Sequence, residues 1–234
     1  SLFEIGPTFF GKNPGEQQIV VGGLKSGKIN RKSWLDKERN VDVFDIKSDT
    51  IKTLVELGIE EKNLFVNDNT KHSYHPGRSG SVTLKSEKGP HLAYFGEIHP
   101  AIIKNLDYKD KNIFGFEIFL KNIPEPNKKL RQSKKSFQAS DYQKSERDFA
   151  FLIDKIFKIG ALEKIIREVD EGLIQSVSTF DVYEGENIPK DKKSVAINVT
   201  LQAIDKTLSE NDIEDISKKI IDTVGKKTGA TIRS

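Results

Sequence analysis

The sequence contains no cysteine, no methionine and a single tryptophan. It also has no apolar run near the roughly 18 residues that a membrane-crossing helix requires. Without cysteine there is no disulfide framework and no thiolate metal site, which fits a reducing compartment, so a cytoplasmic location is expected. No signal-peptide pattern precedes the first strand-like segment, Leu2-Phe3-Glu4-Ile5, and no membrane role is expected. The abrupt opening on that segment, with no methionine anywhere, reads as a piece of a longer polypeptide. Strong charge is missing too. The formal balance of +3 names no partner by itself. Its distribution is uneven: residues 1–127 hold 18 basic and 17 acidic side chains, and residues 138–234 hold 15 and 18. Between them come Lys128, Lys129, Arg131, Lys134 and Lys135 without an acid. A slightly acidic C-terminal half argues against binding driven mainly by phosphate charge.

At 234 residues the chain has room for two domains, each with its own core. The first, residues 1–127, reads as an antiparallel sheet with few helices. Strands are expected over 2–10 and 17–24, joined by the turn Gly11-Lys12-Asn13-Pro14-Gly15. Apolar spacing turns helical from Val43 to Leu57 and stops at Gly58. Short strands follow near Leu64–Val66, Ser81–Leu84, Leu92–Phe95 and Ile113–Leu120. His99-Pro100 opens a short helix, since proline suits a first helical turn. Residues 128–140 read as a basic linker after Pro124 and Pro126, with little that could be buried.

Residues 141–234 carry a cleaner pattern. Phe149, Phe151 and Ile153 alternate with Asp148, Ala150 and Leu152 in a first strand. Ile159, Leu162, Ile166 and Val169 then line a helix closed by Gly172. A strand reaches Tyr183, a loop rich in Gly, Asn, Pro and Asp turns the chain, and Ser194 to Leu201 returns as the third strand. Ser209 and Asp212 cap a second helix with the stripe Ile213, Ile216, Ile220 and Val224. Thr228 to Ile232 makes the last strand. The order β-α-β-β-α-β is the ferredoxin-like motif, so the fold class is α+β. Alternation puts Phe149, Phe151, Phe180, Val182, Val195 and Ile197 under the helices. Ala150, Asp181, Tyr183 and Ser194 go to the open face. With the first and third strands taken as parallel and the second antiparallel to the third, those four should converge. A flat ring, a carboxylate and a hydroxyl together suit an unpaired base, which needs a stacking surface and a few edge partners.

Several stretches resemble one family. Ser145-Glu146-Arg147-Asp148-Phe149-Ala150, Phe180-Asp181-Val182-Tyr183-Glu184-Gly185, Lys193-Ser194-Val195-Ala196, Lys206-Thr207-Leu208 and Gly229-Ala230-Thr231-Ile232-Arg233 are similar to the ferredoxin-like anticodon-binding domain. That domain closes the beta chain of bacterial phenylalanyl-tRNA synthetases. Leu2-Phe3-Glu4-Ile5-Gly6, His75-Pro76-Gly77-Arg78-Ser79 and Gly96-Glu97-Ile98-His99-Pro100 resemble the catalytic-like domain of the same chains, which has the class II synthetase fold without its chemistry. Five short motifs in the right order, across a fitting strand pattern, are jointly strong.

The resemblance implies a non-catalytic C-terminal part of a beta subunit. It would dock on an alpha chain within a tetramer of two alpha and two beta chains and bind the anticodon of the phenylalanine tRNA. ATP and Mg²⁺ would belong to the holoenzyme and none to this stretch. Leu2–Phe10 has no arginine–glutamate pair for ATP, and the helix after His99-Pro100 has no adenine-stacking arginine. By the same resemblance the first anticodon base, a guanine, stacks on Tyr183. Its edges meet Asp181, the hydroxyl of Ser194 and the backbone around Ala150.

Plainer readings stand beside these. A ferredoxin-like sheet also serves as an interaction or small-ligand module with no nucleic-acid role. Arg147-Asp148 reads as a local ion pair at the strand entry. Arg131, Lys190, Lys192 and Lys193 are candidates for RNA-backbone contacts, although a solvated linker and turn explain them as well. His72, His75, His91 and His99 have no metal-ligand spacing, and no metal is expected. Gly22-Gly23 and Gly77 do not form a phosphate loop. Trp34 has a surface-loop setting.

Overall fold

The computed structural model describes residues 1–30, 34, 37–106, 108, 112–125 and 140–233. The basic run from Lys128 to Lys135, Arg131 included, lies outside the described residues, as does nearly all of the 128–140 linker. The chain divides into two compact units, Ser1–Lys134 and Lys135–Ser234.

The first unit is a six-stranded antiparallel sheet with one long helix on it. Strands β1 (Leu2–Phe9), β2 (Gln17–Ser26), β3 (Leu64–Asn67), β4 (Tyr74–Leu84), β5 (His91–Ile98) and β6 (Ile113–Phe119) lie in the order β1-β2-β6-β5-β4-β3. Helix α1 (Val43–Glu56) starts at a reciprocal cap. The Asp42 carboxylate accepts from Phe44 N and Asp45 N, and the Asp45 carboxylate accepts from Asp42 N. The helix buries Ile46, Thr50 and Leu54, one residue per turn. Ile46 and Leu54 pack with Val82, Leu92, Phe95, Phe114 and Ile118 of the sheet. The helix ends at Glu56, and Gly58 beyond it takes φ +95°, as the sequence led one to expect. Helix α2 (Pro100–Lys104) begins on Pro100, with the His99 ring accepting from Ala101 N. The strand expected from Ser81 starts earlier, at Tyr74, across a break in register between Tyr74 and Ser79. Among the described residues strand β1 pairs with β2 alone, and its Leu2, Phe3, Ile5 and Phe9 are exposed on both faces.

The second unit is the ferredoxin-like domain. Strands β7 (Ser145–Asp154), β8 (Ile174–Tyr183), β9 (Lys192–Leu201) and β10 (Thr231–Ile232) lie in the order β10-β7-β9-β8. Helices α3 (Ile159–Arg167) and α4 (Glu210–Thr228) cover one face. Phe149, Phe151, Ile153, Val195, Ile197 and Val199 pack there against Leu162, Ile166, Ile213, Ile216, Ile220 and Val224. Each such side chain contributes roughly 1.5–3 kcal/mol of transfer free energy, less the ordering cost. Ser209 and Asp212 cap α4 reciprocally, and Gly229 closes it at φ +70°.

Four expectations for this unit are corrected. Strands β7 and β9 run antiparallel, pairing Phe149 with Ile197 and Ala150 with Ala196. The α3 crossover returns the chain to β8, two places from β7, and β9 fills the gap antiparallel to both. Helix α3 stops at Arg167, with Glu168 as its cap. The Asp170 carboxylate then makes the turn by accepting from Gly172 N and Leu173 N. Thr228 belongs to α4, so β10 is only two residues long. Phe180 and Val182 are not core: they are 60% and 42% exposed.

Candidate nucleic-acid interface

The fate of Phe180 follows from a β-bulge. On β8, Thr179 pairs with Ile197 and Asp181 pairs with Ala196, so Phe180 is an extra residue opposite one partner. Val177 and Thr179 before it face the helices, Val182 after it pairs with buried Val195, and Phe180 joins Asp181 on the open side. The bulge leaves Thr179 N without a strand partner. Glu163 of α3 supplies one, its Oε1 accepting from Thr179 N at 3.1 Å and from Thr179 Oγ1 at 2.7 Å.

Cross-strand pairing then builds the open face in rows. Ala150, Ala196 and Asp181 form one row, and Leu152, Ser194 and Tyr183 the next. The four residues placed on this face by alternation therefore do lie together on it. Their surroundings differ. Tyr183 is 41% exposed, and its hydroxyl donates to the Glu186 carbonyl at 3.2 Å. Its ring lies against Gly185, where a Cβ would stand 2.5 Å from Tyr183 Oη. Asp181 is exposed and has no hydrogen-bond or ion-pair partner among the described residues. Ser194, the cross-strand partner of Tyr183, is only 5% exposed. Its hydroxyl meets only a group that comes down against the sheet.

Two residues join the face that the strand pattern did not assign to it. Arg233 follows β10, its backbone N–H donating to the Ala150 carbonyl at 2.8 Å. Its guanidinium carbon sits 5.5 Å from the centre of the Tyr183 ring. Phe180 is the other. Asp148 is not ion-paired with Arg147: adjacent strand residues point to opposite faces. Its Oδ1 accepts from Asn198 Nδ2 at 2.7 Å, while Arg147 donates to the Glu146 carbonyl.

The lysines separate. Lys190 is exposed in the turn before β9. Lys192 approaches Asp154 at 3.8 Å. Lys193 pairs with Ile153 on the helix side and is 8% exposed, so it is not brought to the open face. Arg131 lies outside the described residues. No group of three or more His, Asp or Glu among the described residues is placed to hold a metal ion.

The charged residues on the described strands of the first unit are few. Among the described residues its sheet carries one arginine, Arg78, and the carboxylate of nearly buried Glu97 holds that guanidinium. The charged residue of β1 is Glu4, and that of α2 is Lys104.

Two family models match the chain. One, described as the ferredoxin-fold anticodon binding domain, matches residues 140–233. The other, the phenylalanyl tRNA synthetase beta chain CLM domain, matches residues 1–120. The chain belongs to the phenylalanyl-tRNA synthetase beta chain family. It is 41% identical over 232 residues to the phenylalanine–tRNA ligase beta subunit of Paramagnetospirillum magneticum, covering 99% of this chain and 29% of that protein. The beta subunit of Rhodospirillum rubrum is 39% identical over 233 residues, and that of Mesorhizobium japonicum 37% over 239, each matching 100% of this chain. The chain thus spans about 29% of the length of these curated relatives. In this beta chain family member, Tyr183, Phe180 and Arg233 lie on the side of the second sheet opposite its main helix-packed core.

Proposed function

We propose that this chain is a non-catalytic part of a phenylalanine–tRNA ligase, in which the second unit reads the anticodon and the first docks on an alpha chain. The observation that carries the reading is the open-face pair of rows, Ala150-Ala196-Asp181 and Leu152-Ser194-Tyr183. Tyr183 offers a ring for the first anticodon base. The unpartnered Asp181 carboxylate, on the adjoining row, suits the N1 and N2 donors of a guanine. Ser194 and the backbone at Ala150 limit how deeply the base sits. Lys190 is the remaining candidate for a phosphate contact at the hairpin.

The first unit acts as a scaffold. Its exposed apolar β1 supports docking against another protein surface, and the alpha chain is the partner we assign to it. The assembly is taken to be a tetramer of two alpha and two beta chains in the cytoplasm, with ATP and Mg²⁺ on the alpha chain. No helix among the described residues is long and apolar enough to cross a membrane.

The test is base selectivity. A labelled anticodon stem-loop with guanine at the first anticodon position is titrated beside one with adenine there. Weaker binding of the adenine form, and loss of that preference in Asp181→Asn, supports the reading. Equal binding of both by the native chain contradicts it.

A further inference from the structure

The open face has more apolar surface than one stacked base would use. Phe180 is 60% exposed on an edge strand, outside the core cluster of its own unit. It borders an open depression of about 410 Å³ whose lining includes Asp148, Ala150, Ala196 and Arg233. Ala150 and Ala196 pair directly across β7 and β9 between Phe180 and Arg233, and Phe149, Ile232 and Ile221 complete an otherwise apolar lining. At one side Asp148 is fixed by Asn198 through Oδ1, which leaves Oδ2 as an acceptor. The volume falls within the roughly 300–1,000 Å³ of small-molecule sites.

We propose that this depression is a second nucleobase subsite, so that the sheet holds two consecutive unpaired nucleotides, one on Tyr183 and its neighbour against Phe180. The proposal rests on the anticodon reading above and deepens it. Phe180 and Tyr183 stand three residues apart on β8, up to roughly 10 Å along an extended strand. That separation serves two bases better than two faces of one. Arg233 lines the depression and also lies over the Tyr183 ring, so it stands between the two subsites. A planar guanidinium there can stack on a base or pair with the phosphate that joins the two nucleotides. An aromatic ring, an apolar lining and an arginine suit a single-stranded nucleic acid, because every base has a face to stack and a phosphate beside it.

The experiment uses this chain with labelled anticodon stem-loops: the native sequence, and forms made abasic at the first anticodon position or at either neighbour. Phe180→Ala should keep the native melting temperature and weaken the native loop about tenfold. That loss should vanish on the loop lacking the neighbouring base. Arg233→Ala should weaken binding of both forms, and Arg233→Lys should restore only part of it. If Phe180→Ala and both neighbouring abasic loops bind as the native pair does, while Tyr183→Ala and the first-position abasic loop do not, the second subsite is overturned and anticodon reading stands. If no variant and no abasic loop changes binding, both fall.

Discussion

The guanidinium of Arg233 lies 5.5 Å from the centre of the Tyr183 ring, although β10 and β8 are the two outer strands of the sheet. Arg233 enters beside Ala150, on the row where β7 and β9 carry the small side chains Ala150 and Ala196, and its guanidinium reaches Tyr183 on the next row. On the proposed reading, an unpaired base arriving on Tyr183 meets an arginine already in place. The sheet's cationic group is delivered by the chain's last strand, not by its lysine-rich hairpin.

The Tyr183 ring is held from its other end by Gly185. A Cβ at position 185 would stand 2.5 Å from Tyr183 Oη and 2.6 Å from Cζ, closer than real contacts allow. Gly185→Ala is expected to push the ring aside while leaving stability within about 0.5 kcal/mol, as for most exposed substitutions. Binding of the anticodon stem-loop should fall by several-fold, measured by fluorescence anisotropy beside a thermal melt.

Glu163 joins α3 to the bulge that turns Phe180 outward. Glu163→Ala leaves Thr179 N without its acceptor, at an expected cost of about 1–2 kcal/mol in urea unfolding. Because the acceptor carboxylate becomes an amide that keeps one oxygen, Glu163→Gln should cost less. A change equal for the two variants would count against a hydrogen-bonded latch.

In the first unit, the Arg39 guanidinium hydrogen-bonds the Asp45 carboxyl, and with the Asp42 backbone N–H holds its pKa at about 2, below the ordinary 3.8. A lowered folded-state value contributes stability above the unfolded pKa, and that stability is lost as pH falls from about 4 through about 2. Asp45→Asn should flatten the acid limb of stability against pH, followed by urea midpoints from pH 7 to pH 2. An unchanged acid limb would exclude Asp45 as a contributor.

Much of this arrangement was legible in the chain itself. Period-2 alternation placed Ala150, Asp181, Tyr183 and Ser194 on one face, and the Ser209–Asp212 cap and the α4 stripe stand where spacing put them. Phe180 was misread because a bulge adds one residue, and alternation has no means of counting it. The direction of β7 relative to β9 was misjudged, yet the residues converge, since Ala150 lies in the middle of its strand and meets Ala196 from either direction. Lys193 shares the period of Val195 and Ile197, so the same alternation that found the face would have removed it. Arg233 gives no local signal: only the pairing of β10 with β7 brings the end of the chain to the site.

The most direct measurement is a titration of the labelled anticodon stem-loop with the native chain and with Tyr183→Ala, run beside melting curves of both. Tyr183 is half-exposed at the end of its strand, so the variant should fold as the native chain does. Loss of one stacked base should weaken binding about tenfold or more. Equal binding by the two folded proteins would contradict the account.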